Sequence, residues 1–440
     1  MLLNNLASYM WNPFLCLLYV ELGLLFLWLT KGVVFKHTLP FFKKLLHERE
    51  GDGEHTISHR KGFLSSLATT VGVGNLAGVG TAIHLGGPGA LFWMWVSALL
   101  GMSFRMITTY MAIKNNPDDP SASTFGTPMN YLQKHCTGVF KFIAPLMAGT
   151  IIFKGMVAAN LIQANSVAHA LHSELGLPSI MIAAILAFAV GLVVIGGLRV
   201  IVNVTSALAP WMVIIYSITG ALILISHPAE TMTALLKVFK YAFTPHAAIG
   251  GAAGYTVLQA LQFGTARGVF SHASGIGVAP FLQGANKAHP AQGAFMAAMT
   301  PVADTLLVCT ITGLVVISGD YWPKLTGAYL TTHTFYQSLG IFGYLVVTVS
   351  LVIFAFTTII GWYLYTSKCY NFLSGKYKRT FGYIFVSVTF LGPFLPVRMV
   401  WSLGDLLVGS LLLVNLLPLT YILIKEYRAT NNDLANSENL

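Results

Sequence analysis

Charge is what this chain has least of: Asp and Glu number 15 and Lys and Arg 25 in 440 residues, 9% in all. A soluble globular domain carries about 25% charged residues, so a fold solvated on all sides by water is excluded. The 55% hydrophobic content fits a polytopic membrane protein instead. Cysteine is scarce too. Cys16, Cys136, Cys309 and Cys369 make no C-x-x-C pair and no metal-like spacing, and they require no disulfide. No H-E-x-x-H motif occurs. The stretch Met1 to Pro13 has no Lys or Arg. A signal peptide needs a basic n-region and a shorter apolar core, so residues 11–30 read as a retained helix.

Apolar runs fill most of the rest. At about 20 apolar residues per span, hydropathy predicts eleven helices, near 11–31, 62–84, 89–112, 139–171, 179–197, 203–227, 250–284, 290–318, 341–367, 380–397 and 401–424. The net charge of +10 sits in the short loops between them, as membrane orientation requires, rather than in a nucleic-acid patch. With the N-terminus outside, the basic run Lys31 to Lys61 falls inside, with Lys114, Lys134, Lys141, Arg199, Lys287, Lys368, Lys376, Lys378, Arg379, Lys425 and Arg428. Arg49 belongs to that first run, and the outer segments keep Lys237, Lys240, Lys324 and Arg398. The expected topology is N-out and C-in.

Two glycine clusters interrupt this pattern. One runs from Thr69 through Gly72-Val73-Gly74-Asn75 to Gly89, and the other from Gly264 to Gly277. Glycine weakens a helix by about 1 kcal/mol relative to alanine, and irregular backbone survives at membrane depth only where protein buries it or a polar cavity meets it. Setting the first span aside leaves two blocks of five. Five is odd, so the blocks are inverted, and each cluster falls in the first helix of its block. The expected organisation is an N-terminal helix and basic loop (1–61), a first repeat (62–227), an inverted second repeat (228–424) and a polar tail (425–440). Matching broken helices in inverted repeats point to the site of a secondary transporter. The plainer reading is that the glycines only permit tight helix packing.

The motifs resemble those of the alanine/glycine:cation symporters. The resemblance rests on Gly72-Val73-Gly74-Asn75-Leu76-Ala77-Gly78, Gly86-Gly87-Pro88-Gly89, Asn160-Leu161-Ile162-Gln163, Arg267-Gly268-Val269-Phe270-Ser271, Gly275-Ile276-Gly277, His289-Pro290-Ala291-Gln292-Gly293, Asp304-Thr305-Leu306-Leu307 and Phe354 to Trp362. It implies a ten-helix inverted-repeat core behind one extra helix, and uptake of small neutral amino acids (alanine, glycine, D-alanine or serine) with Na⁺ or H⁺. No enzymatic activity and no cofactor beyond the transported ion are implied.

It also implies roles. Thr70, Gly72, Gly74 and Asn75 resemble the unwound segment that grips the substrate backbone and one cation. Gln163 resembles the family's contact to the substrate amine; Asn160, three residues earlier, shares its face, and bonding between helices is the alternative for both. Thr357 and Thr358 are similar to the threonines of a second Na⁺ site, and Trp362 to the wall of a small pocket, unless it is interfacial belt. Asp304, beside Thr305, lies well inside the eighth span, where a carboxylate is costly and usually functional. It holds a cation, carries a proton, or pairs with Arg267 or helix ends.

The chain departs from the family at three acidic positions, here Thr108, His272-Ala273 and Tyr363 to Ser367. Lys154 enters the fourth span. It or His272 alters the coupling, or Lys154 meets another helix or snorkels; nine residues at 100° place it opposite Gln163. Two other classes compete: an intramembrane hydrolase using Ser274 with His272 or His289, and a non-transporting receptor of the same fold.

Overall fold

The computed structural model describes residues 2–47, 58–245, 256–284, 289–375 and 379–435. Every element among them is helical. Arg49, Lys287, Lys376 and Lys378 of the expected inner loops, the start of the seventh expected span and tail residues 436–440 lie outside the described residues.

Helix α1 (Leu2–Met10) leads into α2 (Pro13–Leu29). Pro13 fills the first helical position, where its missing N–H costs nothing, and Asn12 Oδ1 accepts from Leu15 N at 3.0 Å. After α3 (Val33–His47), α4 (His59–Thr70) and α5 (Ala77–Gly86) form an apolar pair bent by 60° at the break between them. Next come α6 (Gly89–Lys114) and α7 (Pro128–His135). Helices α8 (Ile143–Met156) and α9 (Ile162–Leu175) are one span with a π-helical turn at Val157–Leu161. The first half closes with α10 (Ser179–Ile195), α11 (Gly197–Ser226) and α12 (Pro228–Phe243).

Helix α13 (Val257–His272) starts in a reciprocal cap, with Gln259 N donating to Thr256 Oγ1 and Thr256 N to Gln259 Oε1. A turn follows and then the short α14 (Pro280–Gln283). Helices α15 (Pro290–Pro301) and α16 (Thr310–Ser318) flank a π-helical stretch at Val302–Cys309. Helix α17 (Gly327–Ser374) bends at Gly340, whose φ is 59°. Then come α18 (Arg379–Leu391), α19 (Val397–Lys425) and α20 (Tyr427–Ala435).

Seven helices among the described residues are long and apolar enough to cross a membrane, or eight when the bent pair counts as one span. The fifth, seventh and tenth expected spans are shorter helices here, α10, α13 with α14, and α18. Leu192, Trp211, Ile218 and Ile225 are among the apolar side chains left exposed on the outer faces of α10 and α11, which suits lipid contact.

The glycine clusters divide between two jobs. A Cβ on Gly264 would strike Ala90, and one on Gly268 would strike Ser97 Oγ. These two glycines, four apart, let α13 lie directly on α6. The helix therefore runs intact to His272, and the second break begins at Ala273, later than the cluster's start. Likewise, a Cβ on Gly80 would come to 2.6 Å from Gly327 O, and one on Gly86 to 3.0 Å from Gln259 O. In the first cluster residues 71–76 leave the helix inside the bent pair, and Gly87 and Pro88 form the turn into α6.

Candidate functional site

The first break is short because two extended residues make it. Val71 (φ −68°, ψ 107°) ends α4 and Gly72 (φ −139°, ψ −159°) follows; Val73–Asn75 then form one 3₁₀ turn before α5. Gly72 needs space rather than a special conformation: a Cβ there would come to 2.7 Å from Thr358 Oγ1 and 3.1 Å from Gln163 Oε1.

Buried backbone polar groups must find partners, and here they find them within the break and on other spans. Gly72 N donates to Asn75 Oδ1 at 2.9 Å and Val73 N to Gln163 Oε1 at 3.0 Å. Thr358 Oγ1 donates to Val71 O at 3.2 Å, and Thr331 Oγ1, from the first part of α17, to Leu76 O at 3.1 Å. A small cavity adjoins the break, with room for about one water (≈ 10 Å³). Thr70, Gly72, Gly74, Gln163, Thr358 and Trp362 all line it. Thr70 Oγ1 also donates back to Ser66 O at 2.6 Å.

Asp304 lies on the other side of the break, in the π-helical stretch, and is fully buried. Asn75 Nδ2 donates to its Oδ1 at 2.9 Å, while Ser271 Oγ at 2.8 Å and Thr305 Oγ1 at 2.7 Å donate to its Oδ2. Among the described residues no basic side chain lies within 4 Å of this carboxylate. A buried carboxylate ringed by neutral hydroxyl and amide groups is the donor set a hard cation or a proton would complete. π-Helical turns are frequent at functional sites, and here one aims Asp304 at the break.

Several expectations change. Arg267 is bound at 2.8 and 2.7 Å by both oxygens of Asp405 on α19, so Asp304 is not its partner. Thr357 is turned from the break: its Oγ1 donates to Ile353 O at 3.0 Å and faces Met212. Thr358 reaches the break without it, because adjacent helical residues point about 100° apart. Asn160 does not share Gln163's face either; its Nδ2 donates to Phe385 O at 2.9 Å. Trp362 is 2% exposed, inside the protein rather than in a belt.

Lys154 is buried and lines the same cavity as Gln163. The count of 100° per residue assumed an unbroken α-helix, and the π-helical turn at Val157–Leu161 resets the phase between them. His272 ends α13; its Nε2 lies 3.2 Å from Ser97 Oγ and its Nδ1 accepts from Ser274 N at 3.1 Å. The ring thus meets the backbone of Ser274, where a nucleophile's base would meet its hydroxyl.

One central residue escaped the sequence reading. Arg105, on α6, is buried and donates to Ala297 O (3.0 Å), His272 O (3.1 Å), Ser66 Oγ (2.9 Å), Gln283 Oε1 (3.2 Å) and Thr300 Oγ1 (3.3 Å). It joins α4, α13, α14 and α15. The signal was available: an arginine in mid-span is as costly as the carboxylate at Asp304.

The sequence is similar to those of known transporters over nearly its whole length. The sodium/alanine symporter AgcS of Methanococcus maripaludis is 36% identical over 444 residues, covering 98% of this chain and 97% of that protein. An uncharacterized transporter of Haemophilus influenzae is 34% identical over 427 residues, covering 95% of this chain and 92% of its own. Among solved structures, a manganese transporter of Eremococcus coleocola aligns with a TM-score of 0.42 and 14% identity, over 86% of this chain and 74% of that one. Residues 1–438 match the model of the sodium:alanine symporter family, and the chain belongs to that family.

Proposed function

We propose that this protein imports small neutral amino acids, with alanine and glycine first and D-alanine or serine next, by symport with Na⁺; H⁺ is the alternative ion. It acts in the cell membrane, N-terminus outside and C-terminus inside, by alternating access between the repeats 62–227 and 228–424. Thr70, Gly72, Gly74, Gln163, Thr358 and Trp362 hold the amino acid, and Asp304 with Thr305, Ser271 and Asn75 holds the cation.

One observation carries the reading: Asn75 belongs to both places. Its Oδ1 fixes the amide of Gly72 at the cavity, while its Nδ2 donates to Asp304. A cation arriving at Asp304 competes for that carboxylate and repositions Asn75, so the wall of the amino-acid cavity senses the ion. A shared residue of this kind is the differential contact that coupling requires.

Purified protein in liposomes, under separately imposed Na⁺ and H⁺ gradients, tests this. Labelled alanine is expected to accumulate under the Na⁺ gradient, with glycine competing. Asp304→Asn is expected to abolish gradient-driven accumulation while leaving the protein folded. Equal uptake with and without Na⁺ removes sodium as the coupling ion. Binding without accumulation under either gradient would favour a receptor.

A further inference from the structure

The neutral amino-acid cavity contains a charge that nothing so far explains. Lys154, near the end of α8, is 4% exposed, and its Nζ sits 3.2 Å from the centroid of the Trp362 ring. That ring face satisfies an ammonium only in part, since the group carries three N–H donors. Among the described residues no carboxylate lies within 4 Å of it and no acceptor oxygen is bonded to it. Snorkelling does not describe it, because a snorkelling head reaches the interface and this one points inward.

The other groups around the cavity are neutral: Gly72, Gly74, Gln163, Ser271, Thr358 and Trp362. The cavity thus holds one basic side chain and no acidic one. Bare amides at an unwound segment would ordinarily receive a carboxylate, yet two of them are already taken. Asn75 caps Gly72 N, and Gln163 accepts from Val73 N. An unpaired ammonium in so small and buried a cavity is costly until an anion joins it, and an ammonium–carboxylate contact is among the stronger hydrogen bonds.

We infer that the Lys154 ammonium is the receptor for the substrate's carboxylate. On binding it leaves the Trp362 ring face, which frees the ring to pack on the small side chain. The carboxylate's charge is then balanced by the protein, and the cation at Asp304 stays behind the break without touching the substrate. Gly155 supports the placement: a Cβ there would strike Thr366 on α17, so α8 lies close enough for Lys154 to reach Trp362. This inference rests on the reading that an amino acid is the cargo.

Equilibrium binding to the purified full chain tests it, with L-alanine and L-alaninamide as probes; the amide lacks the carboxylate and is otherwise matched. Wild type is expected to prefer alanine by at least about tenfold. Lys154→Met and Lys154→Gln are expected to weaken alanine by at least about tenfold and to lose that preference, while Lys154→Arg keeps it. A structural role for the charge would instead lower the melting temperature. Removing a lone buried charge is expected to leave that temperature unchanged or raise it. Either neutral variant binding alanine as wild type does, or still preferring it over the amide, overturns the inference. A wild type that binds no amino acid at all overturns the transport reading itself, which is a different result.

Discussion

The two broken spans open in the same region of the bundle but are held by different kinds of groups. At the first, extended residues 71 and 72 are met by short polar side chains: Asn75, Gln163, Thr358 and Thr331. At the second, positive φ angles turn the chain, 51° at Ala273, 84° at Gly275 and 80° at Gly277. Here the guanidinium of Arg105 ties His272 O, and Asn415 Nδ2 donates to Gly275 O at 2.8 Å. Contacts from neutral side chains cost little to rearrange, whereas a buried guanidinium bonded to several elements costs much more. The first break is therefore built to respond to ligands, and the second to hold its shape.

Removing Arg105 is the strongest way to test that contrast. Arg105→Met leaves the carbonyls of His272 and Ala297 without their donor, at about 1–3 kcal/mol each, or about 2–6 kcal/mol together. A large fall in the detergent melting temperature and in membrane yield is expected. If Arg105→Met melts like wild type, the second break is not a rigid anchor.

Glycine substitutions sharpen the comparison at an intermediate scale. Gly277→Ala puts a side chain at φ 80°, with Asn415 Oδ1 only 2.9 Å from the new Cβ. Strain of this sort costs about 1–3 kcal/mol, so the variant is expected to lose stability. Gly72→Ala meets no such strain at φ −139°. Its Cβ instead pushes Thr358 Oγ1 and Gln163 Oε1, the far ends of side chains that can move. Its stability is expected to change by less than about 1 kcal/mol, while alanine uptake is lost. Reversed outcomes, with Gly72→Ala unfolding and Gly277→Ala transporting normally, would overturn the assignment of roles.

The sequence made the first break legible because Gly-Val-Gly-Asn cannot be explained by helix propensity, and Asp304 legible because a mid-span carboxylate is costly. Glycine's two uses were not separable from sequence. Gly264 and Gly268 pack helices, and Gly275 and Gly277 turn the chain, yet all four sit in one cluster. Phase was the second obstacle. A π-helical turn leaves no composition signal, so Lys154 was placed opposite Gln163 although both face the cavity. Partner choice was the third, since Asp405 is 138 residues from Arg267 in sequence and takes the place expected of Asp304.

The smallest expected effect lies away from both breaks and calibrates them. Lys114 Nζ lies 2.7 Å from Glu426 Oε2, joining the end of α6 to the end of α19, and His135 Nε2 lies 3.2 Å from Glu426 Oε1. Burial pushes the Glu426 carboxyl up, but the bond and charge of Lys114, with His135 and Lys134, outweigh it and hold the group below its ordinary value. A carboxyl lowered in the folded state stabilises the protein above its unfolded value, about 4.3. That contribution is lost as the pH falls through the folded value. Both side chains keep some solvent exposure, 30% for Lys114 and 20% for Glu426, so screening limits the pair to at most about 1 kcal/mol. Glu426→Gln is expected to lower the melting temperature slightly at pH 7, with the gap to wild type closing on acidification. Uptake should follow wild type throughout, because the pair touches neither cavity nor cation site. A transport defect in Glu426→Gln would mean that the α6–α19 junction moves during the cycle, and the line drawn between a responsive first break and a fixed remainder would have to shift.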